Sequence, residues 1–316
     1  MKTGQRERGN PGVAHGRAHL VTQRISCEAI AMLGQRRDIL CRALIPSVLV
    51  ALVGNISISH AGEVNWWLGS YNTQYTGVNT AFIKNHSQAV SGILHCCTGP
   101  TILSNGTVVA NDTLFRALTQ PELSMKVPVM LPISPAVDAI LKGTAVHGVD
   151  ALVDVALRLG VDGYVVDYEP REQEDEAHAK LFAKFVKMLS IELHKKNLKL
   201  NLCVSSWGIL KPRYYHLFAD ANCDRYISMG STYSHQGPGN IEGIAYVEAM
   251  LAAFPKTSIT VGIGSMVVPS CDKDGKFLTG DYKWEASSLT SFLAFLKRRG
   301  IESVAVWRST PPSPLM

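Results

Sequence analysis

The stretch Asp162-Gly163-Tyr164-Val165-Val166-Asp167-Tyr168-Glu169 ends an apolar run with two closely spaced acidic residues. A short run of β-branched and aromatic residues predicts a buried β-strand. Alternate side chains of a strand share a face, and here one face holds Gly163, Val165, Asp167 and Glu169. Carboxylates are costly to bury without a purpose, so this strand marks the candidate site.

On both sides of this strand, short β-rich runs alternate with helical patterns. The predicted strands are Val64–Tyr71, Val90–Thr98, Val127–Pro132, Asp162–Glu169, Leu198–Ser205, Arg225–Tyr233, Ser258–Gly264 and Ser303–Arg308. The predicted helices are Val137–Leu159, Gln173–Lys196, Ile241–Phe254 and Ser287–Arg299. Eight alternations of strand and helix over about 250 residues predict an α/β fold, a single-domain (β/α)8 TIM barrel spanning residues 62–316.

In such a barrel the chemistry takes place where the strands end, at the carboxyl-terminal rim. Only the fourth predicted strand ends in carboxylates. Two close carboxylates push their pKa values apart, so that one holds a proton while the other stays ionised, as general acid catalysis requires. The residues leave an alternative open, in which Asp167 and Glu169 cap loops or pair with Arg171 or Arg308. Candidate sugar contacts at other strand ends are Tyr71, Trp207, Trp307 and Arg308.

The octet resembles the D-G-x-D-x-D-x-E signature of glycoside hydrolase family 18, the chitinases and their relatives, with Asp162 and Gly163 as its first two residues. Family members are (β/α)8 barrels that carry this motif on strand four. The resemblance implies that Glu169 is the general acid/base and that Asp167 orients the substrate's own N-acetyl group, which acts as the nucleophile. It also implies that Tyr233 hydrogen-bonds this acetamido group and that Trp307 forms the floor of the −1 sugar site. No metal or cofactor is implied.

The strand ends favour the same mechanism independently. A glycosidase that uses its own second carboxylate needs it about 5 Å away if it retains configuration and about 6.5–9.5 Å away if it inverts. No other predicted strand end supplies one, although Asp272 and Asp274 in the loop after strand seven leave a third class open, a barrel glycosidase with its own nucleophile.

Three positions depart from the family pattern. The middle acid of the signature is Val165, the strand-three S-x-G-G is absent from Met130–Ser134, and Ser234 rather than Asp follows the strand-six tyrosine. The acid itself is retained. These departures keep open the alternative of a catalytically inactive, chitinase-like lectin that binds N-acetylglucosamine glycans.

The formal net charge of +5 belongs to the N-terminal segment. Residues 1–61 carry 8 Lys and Arg against 3 acids, and the remainder carries 23 of each sign. A basic flank, the apolar run 43–53 and Ser59-His60-Ala61 predict a secretory signal peptide, the alternative being a buried strand behind a disordered tail. The 42 residues before the apolar run are long for the basic region of a signal peptide, whereas translation from Met32 would give a basic region of ordinary length. Residues 1–31 are therefore expected to be non-native or rarely translated. The near-neutral body gives no reason to expect nucleic acid as a partner.

A cluster of three glycosylation sequons within 27 residues, at Asn85, Asn105 and Asn111, agrees with secretion. The body has five cysteines, an odd number, so one or two disulfides are expected and at least one cysteine stays unpaired. His95 is expected to be a hydrogen-bonded wall residue rather than a metal ligand.

Together these features predict a secreted, extracellular, lysosomal or vacuolar glycosidase that is monomeric and membrane-free after signal cleavage. Its expected substrate is β-1,4-linked N-acetylglucosamine in chitin, chito-oligosaccharides or the N-glycan core. The expected reaction is substrate-assisted and retains configuration.

Overall fold

The computed structural model describes residues 63–69, 91–96, 99–124, 126–170, 175–229, 241–264, 270–271, 277–278 and 286–308. The strands in these ranges are β1 (Glu63–Gly69), β2 (Gly92–Cys96), β3 (Thr101–Ile102), β4 (Val108–Val109), β5 (Val129–Pro135), β6 (Gly163–Val166), β7 (Lys199–Val204), β8 (Arg225–Ser228), β9 (Ile259–Gly264), β10 (Ser270–Cys271), β11 (Phe277–Leu278) and β12 (Ser303–Arg308). The α-helices are α1 (Asp112–Ser124), α2 (Val137–Leu141), α3 (Val149–Leu159), α4 (Glu176–His194), α5 (Tyr215–Ala219), α6 (Ile241–Ala253) and α7 (Ala286–Arg298). None of these helices is long and apolar enough to cross a membrane.

Eight strands pair in parallel, and their pairings form a closed cycle. The order is β1, β2, β5, β6, β7, β8, β9, β12 and back to β1. Each predicted strand corresponds to one of these eight, and the parallel sheet with its helices confirms the α/β class. Because parallel strands end at the same edge, the residues that follow them share one rim.

Two further strand pairs are short and antiparallel. β3 pairs with β4, and β3 also runs parallel to β5. β10 and β11 form a two-stranded sheet of their own. By their contacts, β10 and β11 belong to a different compact unit from the one that holds the other described elements.

Buried apolar side chains form two cores on opposite faces of the parallel strands. The larger core packs residues such as Tyr164 and Val166 of β6 against the helices, with Phe182 and Leu189 of α4 among its members. The smaller core, here called the inner cluster, draws its members from the strands and the turn after β8, with Trp207 packed against it. Its buried residues are Leu94, Met130, Val165, Cys203, Ile227, Met229 and Ala305. Alternation along β2, β5, β6, β7, β8 and β12 therefore divides their side chains between the two cores.

The predicted single helix over Val137–Leu159 is wrong, because the chain forms three short pieces there. α2 ends before Gly143, whose φ of +68° lies in the left-handed region. A 3₁₀ turn over Thr144–Gly148 follows, and α3 begins at Val149. A left-handed glycine is a common way to end a helix, so the break follows from the sequence itself.

The second predicted helix is confirmed with shifted ends. α4 begins at Glu176 because the Asp175 carboxylate accepts a hydrogen bond from the backbone N–H of His178. A cap of this kind satisfies one of the free N–H groups in the first helical turn.

Gly163 lies close against the backbone of β7, where it pairs with Lys199. Its φ is +147°, and a Cβ at this position would lie 1.9 Å from the carbonyl oxygen of Lys199. Backbone atoms cannot yield to such a clash, so the strand pairing requires glycine here.

We expect Gly163→Ala to destabilise the protein by at least about 2 kcal/mol, because a methyl group would force β6 away from β7. The matched control is Gly160→Ala, where φ is +72° but no atom lies within 4 Å of the added carbon. That change should cost only about 1 kcal/mol, from the left-handed backbone alone. Urea unfolding of both variants measures the difference, and equal losses would contradict the steric argument.

Candidate active site

Asp167 and Glu169 follow β6 at the carboxyl-terminal rim, on the strand face that holds Val165. The side chains of Asp167 and Glu169 are hydrogen-bonded to each other. Glu169 is exposed, whereas Asp167 is half-buried and its Oδ1 atom is completely buried, with no hydrogen-bond partner among the described residues. Two carboxylate groups can form such a bond only if one of them carries a proton.

Burial and charge favour Asp167 as a holder of that proton. Burial raises the pKa of Asp167 to about 7, helped by the negative charge of Glu169 and by the hydrogen bond between the two groups. The pair therefore holds one proton close to neutral pH, with one carboxyl open to solvent. This is the protonation pattern that general acid catalysis needs.

An apolar floor lies beneath the carboxyl pair. Val165, two residues before Asp167, is completely buried in the inner cluster, and Cys203 of β7 lies beside it. Burial raises the pKa of the Cys203 thiol, and the charges of Asp167 and Glu169 raise it further. The thiol is therefore neutral and is not a nucleophile. The sequence interpretation did not single out Cys203, although the alternation of β7 would have placed it on this face.

Trp207 is the one predicted sugar contact whose side chain is described. It is half-buried and packs against the inner cluster. The turn that carries it is fixed by Ser205, whose hydroxyl donates to the Trp207 carbonyl oxygen at 2.7 Å, and by the Tyr215 hydroxyl, which donates to the Ser205 carbonyl at 3.0 Å. The indole and the carboxyl pair therefore share the same floor.

The first two motif residues lie at the other end of β6 and hold the sheet together. The Asp162 carboxylate accepts the backbone N–H of Val129 at 2.8 Å. The backbone of Asp162 also pairs with Val129 on one side and with Lys199 on the other. Asp162 and Gly163 thus join β5, β6 and β7, and neither takes part in the carboxyl pair.

Several predicted site residues lie outside the described ranges. These are Tyr233, Tyr71 and Asn85, together with Arg171, Asp272 and Asp274 of the alternative interpretations. For Trp307 and Arg308 only the backbone is described. Its register pairs Trp307 with Trp67 and Gly264, and Arg308 with Leu68.

His95 is buried in the wall of the sheet, next to Leu94 of the inner cluster. Burial lowers its pKa to about 4, so the imidazole is neutral at physiological pH. No cluster of three or more His, Cys, Asp or Glu side chains suited to a metal ion occurs among the described residues.

Two of the three predicted glycosylation sites are described, and both asparagines are exposed. Asn105 lies in the turn between β3 and β4, where its Oδ1 accepts the N–H of Thr107 at 3.0 Å. Asn111 caps α1, its Oδ1 accepting the N–H of Leu114 at 3.0 Å. In both cases the oxygen is engaged, and no bond is described for the amide nitrogen to which a glycan would be attached.

Two of the body's five cysteines are described with their side chains. Cys203 and Cys223 are buried and free, so neither forms a disulfide. This confirms the expectation of at least one unpaired cysteine.

Comparison with known proteins finds similar solved structures but no similar sequences. No family profile matches this chain, and no curated protein matches it in sequence. Solved structures do match. A class V chitinase from Pseudomonas fluorescens Pf-5 is 16% identical, with a TM-score of 0.57 over 79% of this chain and 95% of its own. A chitinase from Bacteroides thetaiotaomicron is 13% identical, with a TM-score of 0.62 over 78% and 89%.

The Bacillus cereus spore cortex-lytic enzyme SleL is 13% identical, with a TM-score of 0.58 over 80% of this chain and 72% of its own. At these identities the similarity shows a shared fold. This shared fold agrees with the resemblance of the octet to glycoside hydrolase family 18.

We expect Asp167→Asn to be more stable than the wild type at pH 8, by on the order of 2 kcal/mol. The pKa of Asp167 is raised by folding, so wild-type stability falls as pH rises from about 4 to about 7, whereas Asn cannot ionise. The advantage should vanish at pH 4. Chemical unfolding of both proteins across this range measures it.

The matched control is Asp150→Asn at the exposed start of α3, which should show no such gain at pH 8. A wild type whose stability does not fall between pH 4 and 7 relative to Asp167→Asn would show that Asp167 ionises normally.

Proposed function

We propose that this chain is a glycoside hydrolase that cleaves N-acetylglucosamine-containing glycans, a divergent relative of the family 18 enzymes. The observation that carries the proposal is the hydrogen-bonded pair of Asp167 and Glu169 at the end of β6. Support comes from the fold that the chain shares with proteins described as chitinases and as a spore cortex-lytic enzyme.

We infer that the parallel strands form a (β/α)8 barrel, with residues 62–316 as the catalytic domain. The closed cycle of eight pairings supports closure of the sheet. So does the inner cluster, because side chains from β2, β5, β6, β7, β8 and β12 pack together there. In an open sheet of order β2-β1-β12-β9-β8-β7-β6-β5, the strands β2 and β5 would lie far apart and could not both supply side chains to one cluster.

The proposed reaction uses Glu169 as acid and then as base. Glu169 takes up the one proton that it shares with Asp167 and gives it to the glycosidic oxygen as the bond from that oxygen to the anomeric carbon breaks, which leaves Asp167 ionised. The acetamido oxygen of the same sugar forms a bond to the anomeric carbon from the other side. Water then attacks this carbon and returns a proton to Glu169, and the configuration is retained. Asp167, hydrogen-bonded to Glu169, orients the acetamido group.

Several other residues are proposed to bind the sugar. Trp207 offers an apolar face on the same floor as the carboxyl pair, and aromatic faces pack well against sugar rings. By resemblance or by their place at strand ends, the remaining contacts are Tyr233, Trp307, Tyr71 and Arg308. The equal numbers of acidic and basic residues in the body suit an uncharged sugar chain.

A second candidate function is supported by Val165. This residue replaces the middle acid of the signature and is completely buried among apolar side chains. Asp167 therefore has no second carboxyl partner on β6. A chain that kept sugar binding but lost turnover would be a lectin for the same glycans.

We expect hydrolysis of fluorogenic chito-oligosaccharides by the wild type, and a fall in kcat of about 10²–10⁴-fold in Glu169→Gln, which removes the acid but keeps the shape. Glu192→Gln changes a half-buried residue of α4 that pairs with Lys195, and as the control it should leave kcat unchanged. Proton NMR of the first product should show the β-anomer. Wild-type binding without cleavage would favour the lectin, and activity that survives Glu169→Gln would refute the assignment.

We further propose that the protein is secreted, with residues 1–61 containing the signal peptide, and that it acts as a monomer outside the cell or in a lysosome or vacuole. Three sequons support this route, and the exposure of Asn105 and Asn111 is compatible with attached glycans. Chemistry on an uncharged polymer needs no cofactor in this scheme.

When the chain is expressed in a eukaryotic secretory host, we expect glycosylated protein in the medium. Each of Asn105→Gln and Asn111→Gln should remove one glycan, visible as a smaller mass by intact-protein mass spectrometry. Asn222→Gln, which changes an asparagine outside any sequon, should leave the glycan mass unchanged. Protein that stays in the cytosol, or a mass equal to that of the bare chain, would contradict this route.

A further inference from the structure

Tyr168 lies between the two acidic residues but faces the other way. Alternation places it with Tyr164 and Val166 in the larger core, where it is 2% exposed. Its ring stacks on Phe182 of α4, with centroids 4.5 Å apart and planes 24° from parallel. The backbone on either side of this fixed ring carries Asp167 and Glu169.

The hydroxyl of Tyr168 has a specific buried partner. Its Oη lies 2.8 Å from Nε2 of His178, which is 1% exposed. Burial raises the pKa of Tyr168, so the hydroxyl keeps its proton and can donate it. The backbone N–H of His178 is held in turn by the Asp175 carboxylate at 2.7 Å. The bond therefore joins the end of β6 to the first turn of α4.

This anchor lies where the strand pairing ends. β6 pairs with β5 and β7 through Val166, and beyond it the Asp167 N–H still reaches the Ile133 carbonyl oxygen, at 3.3 Å. The carboxyl groups come after this point. Their spacing thus depends on how the segment is held from its outer side, and the described contacts on that side include the Tyr168 hydrogen bond to His178 and its stacking on Phe182.

Tyr164 provides an internal comparison. It lies on the same face of β6, is completely buried, and donates its hydroxyl proton to the Leu152 carbonyl oxygen of α3 at 2.7 Å. Both tyrosines fasten β6 to a helix by one buried hydrogen bond. Only Tyr168 is next to the carboxyl residues, four positions further along the strand.

We propose that Tyr168 and His178 are positioning residues, whose hydrogen bond sets the contact between the carboxyl groups of Asp167 and Glu169. This proposal rests on the proposed hydrolase function for its catalytic consequence. A displacement of about 1 Å is enough to lower a rate by about 10²-fold, so a loosened anchor acts on turnover without removing any reacting group.

The test compares Tyr168→Phe with Tyr164→Phe, since each change deletes one buried hydroxyl from the same strand. We expect both variants to lose similar stability. Tyr168→Phe should lower kcat on chito-oligosaccharides about tenfold with KM within about twofold, whereas Tyr164→Phe should keep the wild-type kcat. Equal effects on kcat would mean that Tyr168 has only a structural role, and the proposal would be overturned.

A second variant covers the case in which Tyr168→Phe does not fold. His178→Gln keeps a polar group that can reach the Tyr168 hydroxyl, whereas His178→Leu does not. We expect kcat to fall about tenfold in His178→Leu and to recover partly in His178→Gln. Equal kcat values in the wild type and His178→Leu would overturn the proposal.

A measurement that needs no turnover separates this proposal from the hydrolase function. The carbon-13 carboxyl resonance of Asp167 is titrated by NMR in the wild type and in both tyrosine variants. Among the described groups, Glu169 is the titratable group that acts on Asp167, and both carboxyl groups act on the neighbouring Cys203 thiol. We expect the titration midpoint to move only in Tyr168→Phe, because only there does the contact with Glu169 change.

The two ideas can fail separately. A wild type that cleaves no glycan, with a midpoint that moves in Tyr168→Phe alone, would overturn the hydrolase function and support the positioning role. An active wild type whose kcat and midpoint are the same in Tyr168→Phe would overturn the positioning role and leave the hydrolase function standing.

Discussion

A hydrogen bond between two carboxyl groups, which lie over an apolar floor, is the interaction on which the chemistry of the candidate site depends. Asp167 and Glu169 can share it only while one of them is protonated, and burial of Asp167 favours that state. Val165 and Cys203 below them supply no competing charge, since one is an alkyl group and the other a neutral thiol. The low polarity of the floor therefore sets the protonation state of the site.

Maintaining this arrangement depends on the alternation along β6. Small and apolar residues face the inner cluster, and two tyrosines face the helices. At the start of the strand, Gly163 allows β7 to approach closely, and Asp162 binds the backbone of β5. The two ends of the motif therefore have different roles. Asp162 and Gly163 hold neighbouring strands together, whereas Asp167 and Glu169 form the candidate site at the other end of β6.

The sequence allowed all eight parallel strands to be predicted because their apolar runs are bounded by polar and turn residues. The predicted length of β6 was too great. The alternating pattern continues through Asp167–Glu169, although the pairing of the strand ends at Val166. It missed α1, which contains Pro121 and therefore looks like a loop.

The candidate site was predicted in part. The carboxyl residues and Trp207 follow from the motif and from the strand ends, which are local features. The hydrogen bond between Tyr168 and His178 could not be predicted in this way. Alternation shows which face of the strand a tyrosine lies on, but not which residue of the neighbouring helix it contacts, here ten residues further along the chain. Likewise, a free and buried Cys203 follows from packing between strands rather than from the spacing of cysteines.

The buried thiols of Cys203 and Cys223 have a practical consequence for how this protein reacts with oxidants and alkylating reagents. Both are buried, and burial raises the pKa of each, so almost no reactive thiolate is present in the folded state. Oxidants and alkylating reagents react with the thiolate, so the reaction of these two cysteines requires local opening of the core. The rate at which Cys203 is labelled thus reports how often β7 opens, and the rate at which Cys223 is labelled reports how often the segment before β8 opens.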